Sequence, residues 1–211
     1  MCETASLWEL ERAAKEQGFS LICGCDEAGA GPLAGPVYAA AVILPEGLAL
    51  PWLNDSKQVT PRRRDLLFDQ IREQALAWAV ASVSPEEIDR INILNARIKA
   101  MQDAIDALDP AADYALIDGN RDRGSCCAIT TPHKTVIKGD SRSANIAAAS
   151  ILAKVSRDRF MEEMAEKYPQ YGFGQHKGYG TKLHYERLDA YGPSPIHRKS
   201  FLKKWEAARR G

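Results

Sequence analysis

Between Asp26 and Val37 the chain reads DEAGAGPLAGPV. Two adjacent carboxylates, Asp26 and Glu27, end the apolar run Leu21-Ile22-Cys23-Gly24-Cys25 and lead into Gly29, Gly31 and Gly35, interleaved with Pro32 and Pro36. Neighbouring side chains of a strand point to opposite faces, so Asp26 and Glu27 cannot both face a core. A glycine-rich turn directly behind them lets a ligand approach the backbone closely. Acid beside bare backbone suits a divalent metal and a phosphate-bearing substrate. The plain alternative is a solvated Asp-Glu at a strand end, and the glycine and proline pattern argues against it.

Two further carboxylates occupy comparable places. Asp118 closes the apolar stretch Tyr114–Ile117 and precedes Gly119, a carboxyl-terminal strand edge of the kind where open α/β sheets put their sites. Asp140 follows Gly139 and precedes a helix expected to start at Ser141, where a helix cap is the competing role. Oxygen-only ligands suit hard Mg²⁺ or Mn²⁺, provided the sheet brings these ends together. His133, His176, His184 and His197 have no evident zinc spacing; basic-loop or packing roles suit them, with a proton shuttle left open. Asp158, between Arg157 and Arg159, reads as a structural ion-pair partner.

With 211 residues, 45% hydrophobic and 27% charged, the chain is long enough for one domain with a substantial core. No stretch has the length of a membrane span and the N-terminus does not resemble a signal peptide, so a cytoplasmic protein is expected. Five cysteines, with no C-x-x-C pair, read as reduced structural thiols. The zero net charge hides an asymmetry. Residues 134–211 hold 16 Lys and Arg against 8 Asp and Glu, and residues 1–133 hold 12 against 20. Phosphate backbones are held by Lys and Arg, which makes the C-terminal third the expected bed for a nucleic acid.

The elements that must position these residues alternate. An amphipathic helix is expected over residues 4–18, strands over Leu21–Cys25, Val37–Leu44, Ala77–Val83 and Tyr114–Ile117, and a strand pair or extended segment over Cys126–Ile137. Thr60-Pro61 starts a helix with Leu66, Leu67 and Ile71 on its apolar face. Ser84 to Glu87 read as a capping box, followed by Ile88, Ile91, Leu94, Ile98, Met101, Ile105 and Leu108 at helical spacing. A long alanine-rich helix is expected over Ser141–Tyr168, close against the sheet. Strands with crossover helices give an α/β layer architecture.

The glycine run resembles the N-terminal signature of type 2 ribonucleases H, the ribonuclease HII family, in its bacterial form. The likeness continues in order through LNDSK (Leu53–Lys57), NILNA (Asn92–Ala96), LIDGN (Leu116–Asn120), KGD (Lys138–Asp140), AAASILAKVSRDR (Ala147–Arg159), HKGYGTKLH (His176–His184) and HRKSF (His197–Phe201). The resemblance implies a ribonuclease H-like mixed sheet flanked by helices with a helical C-terminal extension: a catalytic domain over 1–168 and a basic substrate-binding extension over 169–211. It implies that Asp26, Glu27, Asp118 and Asp140 are catalytic ligands for two Mn²⁺ or Mg²⁺ ions in phosphodiester hydrolysis. The implied substrates are RNA–DNA hybrids and single ribonucleotides embedded in duplex DNA. Cutting is expected on the 5′ side of the ribonucleotide, leaving 3′-hydroxyl and 5′-phosphate ends. By the same resemblance the backbone of Gly29, Ala30 and Gly31 reads the 2′-hydroxyl, the group that separates RNA from DNA, and Tyr179 packs on the neighbouring sugar. Lys57, Lys177 and Arg198 are candidate phosphate contacts, and the protein is expected to act as a monomer.

Ala30 departs from the family, which has arginine between these two glycines. An attenuated or non-catalytic nucleic-acid-binding relative is therefore one alternative. Another ribonuclease H-like nuclease, such as a type 3 ribonuclease H or a Holliday-junction resolvase, is the other.

Overall fold

A computed structural model describes residues 6–53 and 59–210. Strands β1 (Ile22–Ala28), β2 (Val37–Ile43), β3 (Ala77–Val83), β4 (Tyr114–Asp118) and β5 (His133–Val136) form one sheet in the order β3-β2-β1-β4-β5. β2 lies antiparallel to β1 and β3, whereas β4 runs parallel to β1 and β5. The sheet is therefore mixed. The parallel pairing sets the carboxyl ends of β1 and β4 side by side, with Cys25 opposite Ile117.

The helices are α1 (Glu9–Glu16), α2 (Pro61–Gln74), α3 (Pro85–Asp106), α4 (Ala144–Lys167), a single turn α5 (Phe173–His176), α6 (Lys182–Tyr191) and α7 (Lys199–Arg210). Alternation along the strands splits the core into two layers. Cys23, Cys25, Ala39 and Ala41 pack with α3, while Ala40 and Val42 pack with α2 and α4. Alanines in β2 and α4 permit a close approach, and Gly24 makes it closest. A Cβ on Gly24 would lie 2.1 Å from the backbone of Asn145 and Ile146. Asn145 fixes that contact by donating to the Ile22 carbonyl and accepting from the Leu44 N–H, each at 2.9 Å.

Local differences from the expected elements have physical causes. The N-terminal helix spans only Glu9–Glu16, behind a 3₁₀ turn at Ser6–Trp8. Its buried Glu11 accepts from Ser143 Oγ at 2.6 Å and from the Asn145 N–H at 3.1 Å, tying it to the start of α4. α4 begins at Ala144 rather than Ser141, because Ser143 caps it by accepting from the Ile146 N–H. In α2 Leu66 is half exposed, and Leu67, Phe68 and Ile71 form the inward face. Only half of the box at α3 is made. Ser84 accepts from the Glu87 N–H at 3.3 Å, but the Glu87 carboxylate turns to Arg90. α3 is also kinked at Asn92, whose φ is 66°, and Asn92 Oδ1 recaps the second part by accepting from the Asn95 N–H at 3.2 Å. Of the segment 126–137, β5 alone is a strand, and a lone bridge joins Arg123 to Ala128.

Candidate active site

Asp26 and Glu27 sit at the carboxyl end of β1 and Asp118 at that of β4. Ala28 packs into the α4-side core, so Asp26, two residues back, faces α4 while Glu27 faces α3. There Arg97 forms an ion pair with Glu27. Asp118 Oδ1 accepts from the Gly139 N–H at 2.7 Å. That bond docks the 3₁₀ turn Gly139–Ser141, and Asp140 with it, against β4. All four carboxylates line one cleft of about 380 Å³, together with Gly29, Ala30, Gly31 and Tyr179.

The electrostatics are those of crowded acid. Burial, and then the charges of Glu27 and Asp118, push the Asp26 carboxyl well above the usual carboxylate range. Glu27 is also raised by burial, with Arg97 opposing the shift. Glu27 Oε2 is buried with no hydrogen-bond partner among the described residues, an expensive state for a carboxylate oxygen. A hard divalent cation answers both conditions, and the donor set is entirely oxygen. Among the described residues no three His, Cys, Asp or Glu close into a ready metal cage. An open arrangement of this kind suits ions held by a few carboxylates, waters and substrate phosphate. The residues fit such a group.

The two features expected to read substrate meet here. Tyr179 is 45% exposed, and a Cβ built on Gly31 would lie 4.0 Å from its Cε1. Of the expected phosphate contacts, Lys57 lies outside the described residues. Lys177 does not line the cleft; its Nζ is 2.9 Å from Glu162. Arg198 is fully buried rather than presented to solvent. Its Nε, Nη1 and Nη2 donate to the carbonyls of Gly35, Ala30 and Gly29 at 2.9, 3.0 and 2.6 Å. A guanidinium with its donors committed to backbone in this way supports the loop rather than meeting phosphate directly.

The cleft also contains Ser150, Lys154 and Arg157 from α4, which were not picked out from the sequence. Their i, i+4, i+7 spacing in an otherwise alanine-rich helix was the available signal. Lys154 pairs with Asp158 at 2.7 Å, the ion-pair role expected for Asp158. Arg97 was missed because nothing local distinguishes it from a solvated helix charge.

Three of the histidines form a neutral cluster, and no zinc-like grouping exists among the described residues. Ser194 N–H donates to His197 Nδ1 at 2.9 Å. His197 must then carry its proton on Nε2, which lies 2.9 Å from His184 Nε2. His184 in turn donates from Nδ1 to the Tyr179 carbonyl at 2.9 Å. Burial pushes His184 and His197 each down to about 4. His176 accepts from the Gly178 N–H at Nδ1 and donates to the Tyr171 carbonyl. His133 stands apart, 3.0 Å from Asp122.

Residues 23–204 match the family model described as Ribonuclease HII. A Ribonuclease HII from Dechloromonas aromatica is 54% identical over 181 residues, 86% of this chain and 90% of that protein. One from Geobacter sulfurreducens is 51% identical over 196 residues, 93% of this chain and 88% of that protein. Among solved structures, the ribonuclease H2 from Pyrococcus horikoshii superposes with a TM-score of 0.73 at 26% identity, covering 91% of this chain and all of that one.

Proposed function

The chain belongs to the ribonuclease HII family and is a type 2 ribonuclease H hydrolase, and from that premise we propose that it cuts at ribonucleotides paired with DNA. The substrates are the RNA strand of an RNA–DNA hybrid and a single ribonucleotide embedded in duplex DNA. Hydrolysis falls on the 5′ side of the ribonucleotide and leaves 3′-hydroxyl and 5′-phosphate ends. The observation that carries this reading is a single cleft in which buried Asp26 shares its walls with Glu27, Asp118, Asp140, the glycine turn and Tyr179.

Each group has a part. Asp26, Glu27, Asp118 and Asp140 would hold two Mg²⁺ or Mn²⁺ ions, which would supply water activation and stabilisation of the leaving 3′-oxygen. Gly29, Ala30 and Gly31 offer backbone groups to the 2′-hydroxyl, and Tyr179 offers a ring face to the adjoining sugar. Arg97 fixes one oxygen of Glu27 and limits the directions its carboxylate can take. No Ser or Cys nucleophile is required. Cutting 5′ of the ribonucleotide also rules its own 2′-hydroxyl out as nucleophile, since that group adjoins the 3′ phosphate. The basic C-terminal part, residues 169–211, carries Tyr179 and the support beneath the glycine turn, and no helix among the described residues is long and apolar enough to cross a membrane.

The test is cleavage of three matched duplexes: one with a single ribonucleotide, one all DNA and one all RNA. Only the first should be cut, and Tyr179→Ala should impair it more than it impairs a continuous hybrid, where other registers are available. Cutting of the all-DNA duplex would contradict the assignment, and equal loss on both ribonucleotide substrates would make Tyr179 a packing residue.

A further inference from the structure

Two arginines lie beneath the glycine turn, and among the described residues no carboxylate forms an ion pair with either guanidinium. Arg198 is 0% exposed and Arg157 is 1% exposed. Arg198, from the C-terminal part, grips the carbonyls of Gly29, Ala30 and Gly35. Arg157, from α4, donates to the carbonyls of Ala34 and Pro36 at 3.2 and 3.3 Å, while its Nη1 is buried without a partner. The same guanidinium lies 5.8 Å from the Tyr179 ring centroid. Burial of two neighbouring cations is costly: burial first and then Arg157 push Arg198 down to about 9. Fold stability alone would favour apolar residues there.

What the pair achieves is an orientation. Five carbonyls of the loop 29–36, those of Gly29, Ala30, Ala34, Gly35 and Pro36, are held from below, which restrains the peptide planes at both ends of the turn. Among the described residues no hydrogen bond uses the N–H of Gly29, Ala30 or Gly31, and these three residues line the cleft. Gly29 has a φ of 94°, and a Cβ there would lie 2.1 Å from Arg157 Nε. The glycine is thus fitted to the arginine as well as to the turn. Further bonds tie in the Tyr179 loop: the Leu33 N–H donates to the Gly178 carbonyl at 2.8 Å, and the Arg198 N–H donates to the Leu33 carbonyl at 2.9 Å.

We propose that Arg198 and Arg157 are positioning residues for ribonucleotide recognition, which clamp the carbonyls of the glycine turn from within the protein and so fix both the turn's free N–H groups and Tyr179 against the 2′-hydroxyl and sugar. The inference rests on the proposed ribonucleotide-directed activity. It gives Arg198 a different task from a direct phosphate contact, and the two tasks separate cleanly in an experiment.

The test is steady-state cleavage of the single-ribonucleotide duplex, with the matched all-DNA duplex as competitive inhibitor, across a salt series. Wild type is compared with Arg198→Lys and Arg157→Lys, which keep the charge but lose the fork. KM for the ribonucleotide duplex should rise about tenfold or more, because a displacement of about 1 Å in a recognition group costs on the order of 100-fold. The inhibition constant of the all-DNA duplex and its salt slope should stay unchanged, so the preference for ribonucleotide shrinks. Loss of folded protein would instead lower kcat and leave KM alone. Should Arg198→Lys fail to fold, Arg157→Lys alone provides the reading, since Arg157 holds other carbonyls of the same loop. A weaker all-DNA inhibition with a salt slope lowered by about one unit would mean direct phosphate contact and overturn the inference. So would KM values that do not move. A wild-type protein that holds both duplexes equally would instead defeat the underlying activity, and the inference with it.

Discussion

Ala30 stands where the family resemblance places an arginine, and its backbone remains in use: Arg198 holds its carbonyl at 3.0 Å. What alanine lacks is a side chain able to reach phosphate. A charge-assisted hydrogen bond contributes roughly 1.5–3 kcal/mol, so Ala30→Arg should tighten binding of the single-ribonucleotide duplex about tenfold or more. It should also steepen the salt dependence by up to about one unit of log K against log [salt]. Binding titrations over a salt series check this; an unchanged affinity and slope would mean that residue 30 does not face phosphate. At the same scale, Asp118→Asn or Asp140→Asn should nearly abolish cleavage with the fold retained, as each removes a charge from a site that works by charge. Turnover close to wild type in either variant would remove that residue from the ligand set. The carboxylates were legible in the sequence because each ends an apolar run or meets a glycine. Arg97, Lys154 and Arg157 were not, because a charged residue within a helix looks the same whether it meets solvent or a cleft.

Among the elements, β1 and α4 were readable from an apolar run and an alanine-rich stretch, but their fit depends on one residue. Gly24→Ala would drive a Cβ into the backbone of Asn145 and Ile146, which cannot yield as a flexible side chain would. A loss of ~3 kcal/mol or more is expected, measured from the urea midpoint at constant m-value. The kink of α3 at Asn92 left no periodic trace, since the apolar stripe continues across it and a local side-chain cap resets the helix. The histidine cluster was equally hidden, because burial comes from bringing together α5, α6 and the segment before α7. It makes stability depend on pH with a definite sign. His184 and His197 titrate near 4 when folded and near 6.5 when unfolded. Their neutral-state stability is complete above about 6.5 and is lost as pH falls towards 4, at up to about 1.4 kcal/mol per pH unit for each. Thermal melts between pH 7 and 5 should show this decline, and a His184→Gln/His197→Gln variant should show less of it. An equal decline in both proteins would assign the dependence to other groups.

Over the whole molecule, residues 169–211 interlock with the sheet and helices that precede them. Ala34 bridges His197, Arg198 reaches back to the glycine turn, and Asp89 of α3 accepts from the N–H groups of Lys199 and Ser200 at the start of α7. Unfolding followed by far-UV circular dichroism and by the fluorescence of Trp205, isolated by replacing Trp8, Trp52 and Trp78 with Phe, should therefore coincide in one transition; an earlier Trp205 change would mean that the C-terminal part comes away by itself. The charge asymmetry read from the sequence has its counterpart here, with acid at the ends of β1 and β4 and the cleft-lining Tyr179 carried by the basic C-terminal segment. The central claim is that these carboxylates direct metal-dependent hydrolysis to the 5′ side of a ribonucleotide. Its most direct test maps the product ends from a duplex with a single ribonucleotide, with Mg²⁺ or Mn²⁺ and with chelator. The account predicts one cut immediately 5′ of the ribonucleotide, a 3′-hydroxyl, a 5′-phosphate and no cutting in EDTA. A cut on the 3′ side, a 2′,3′-cyclic phosphate end or cleavage that survives EDTA would contradict it.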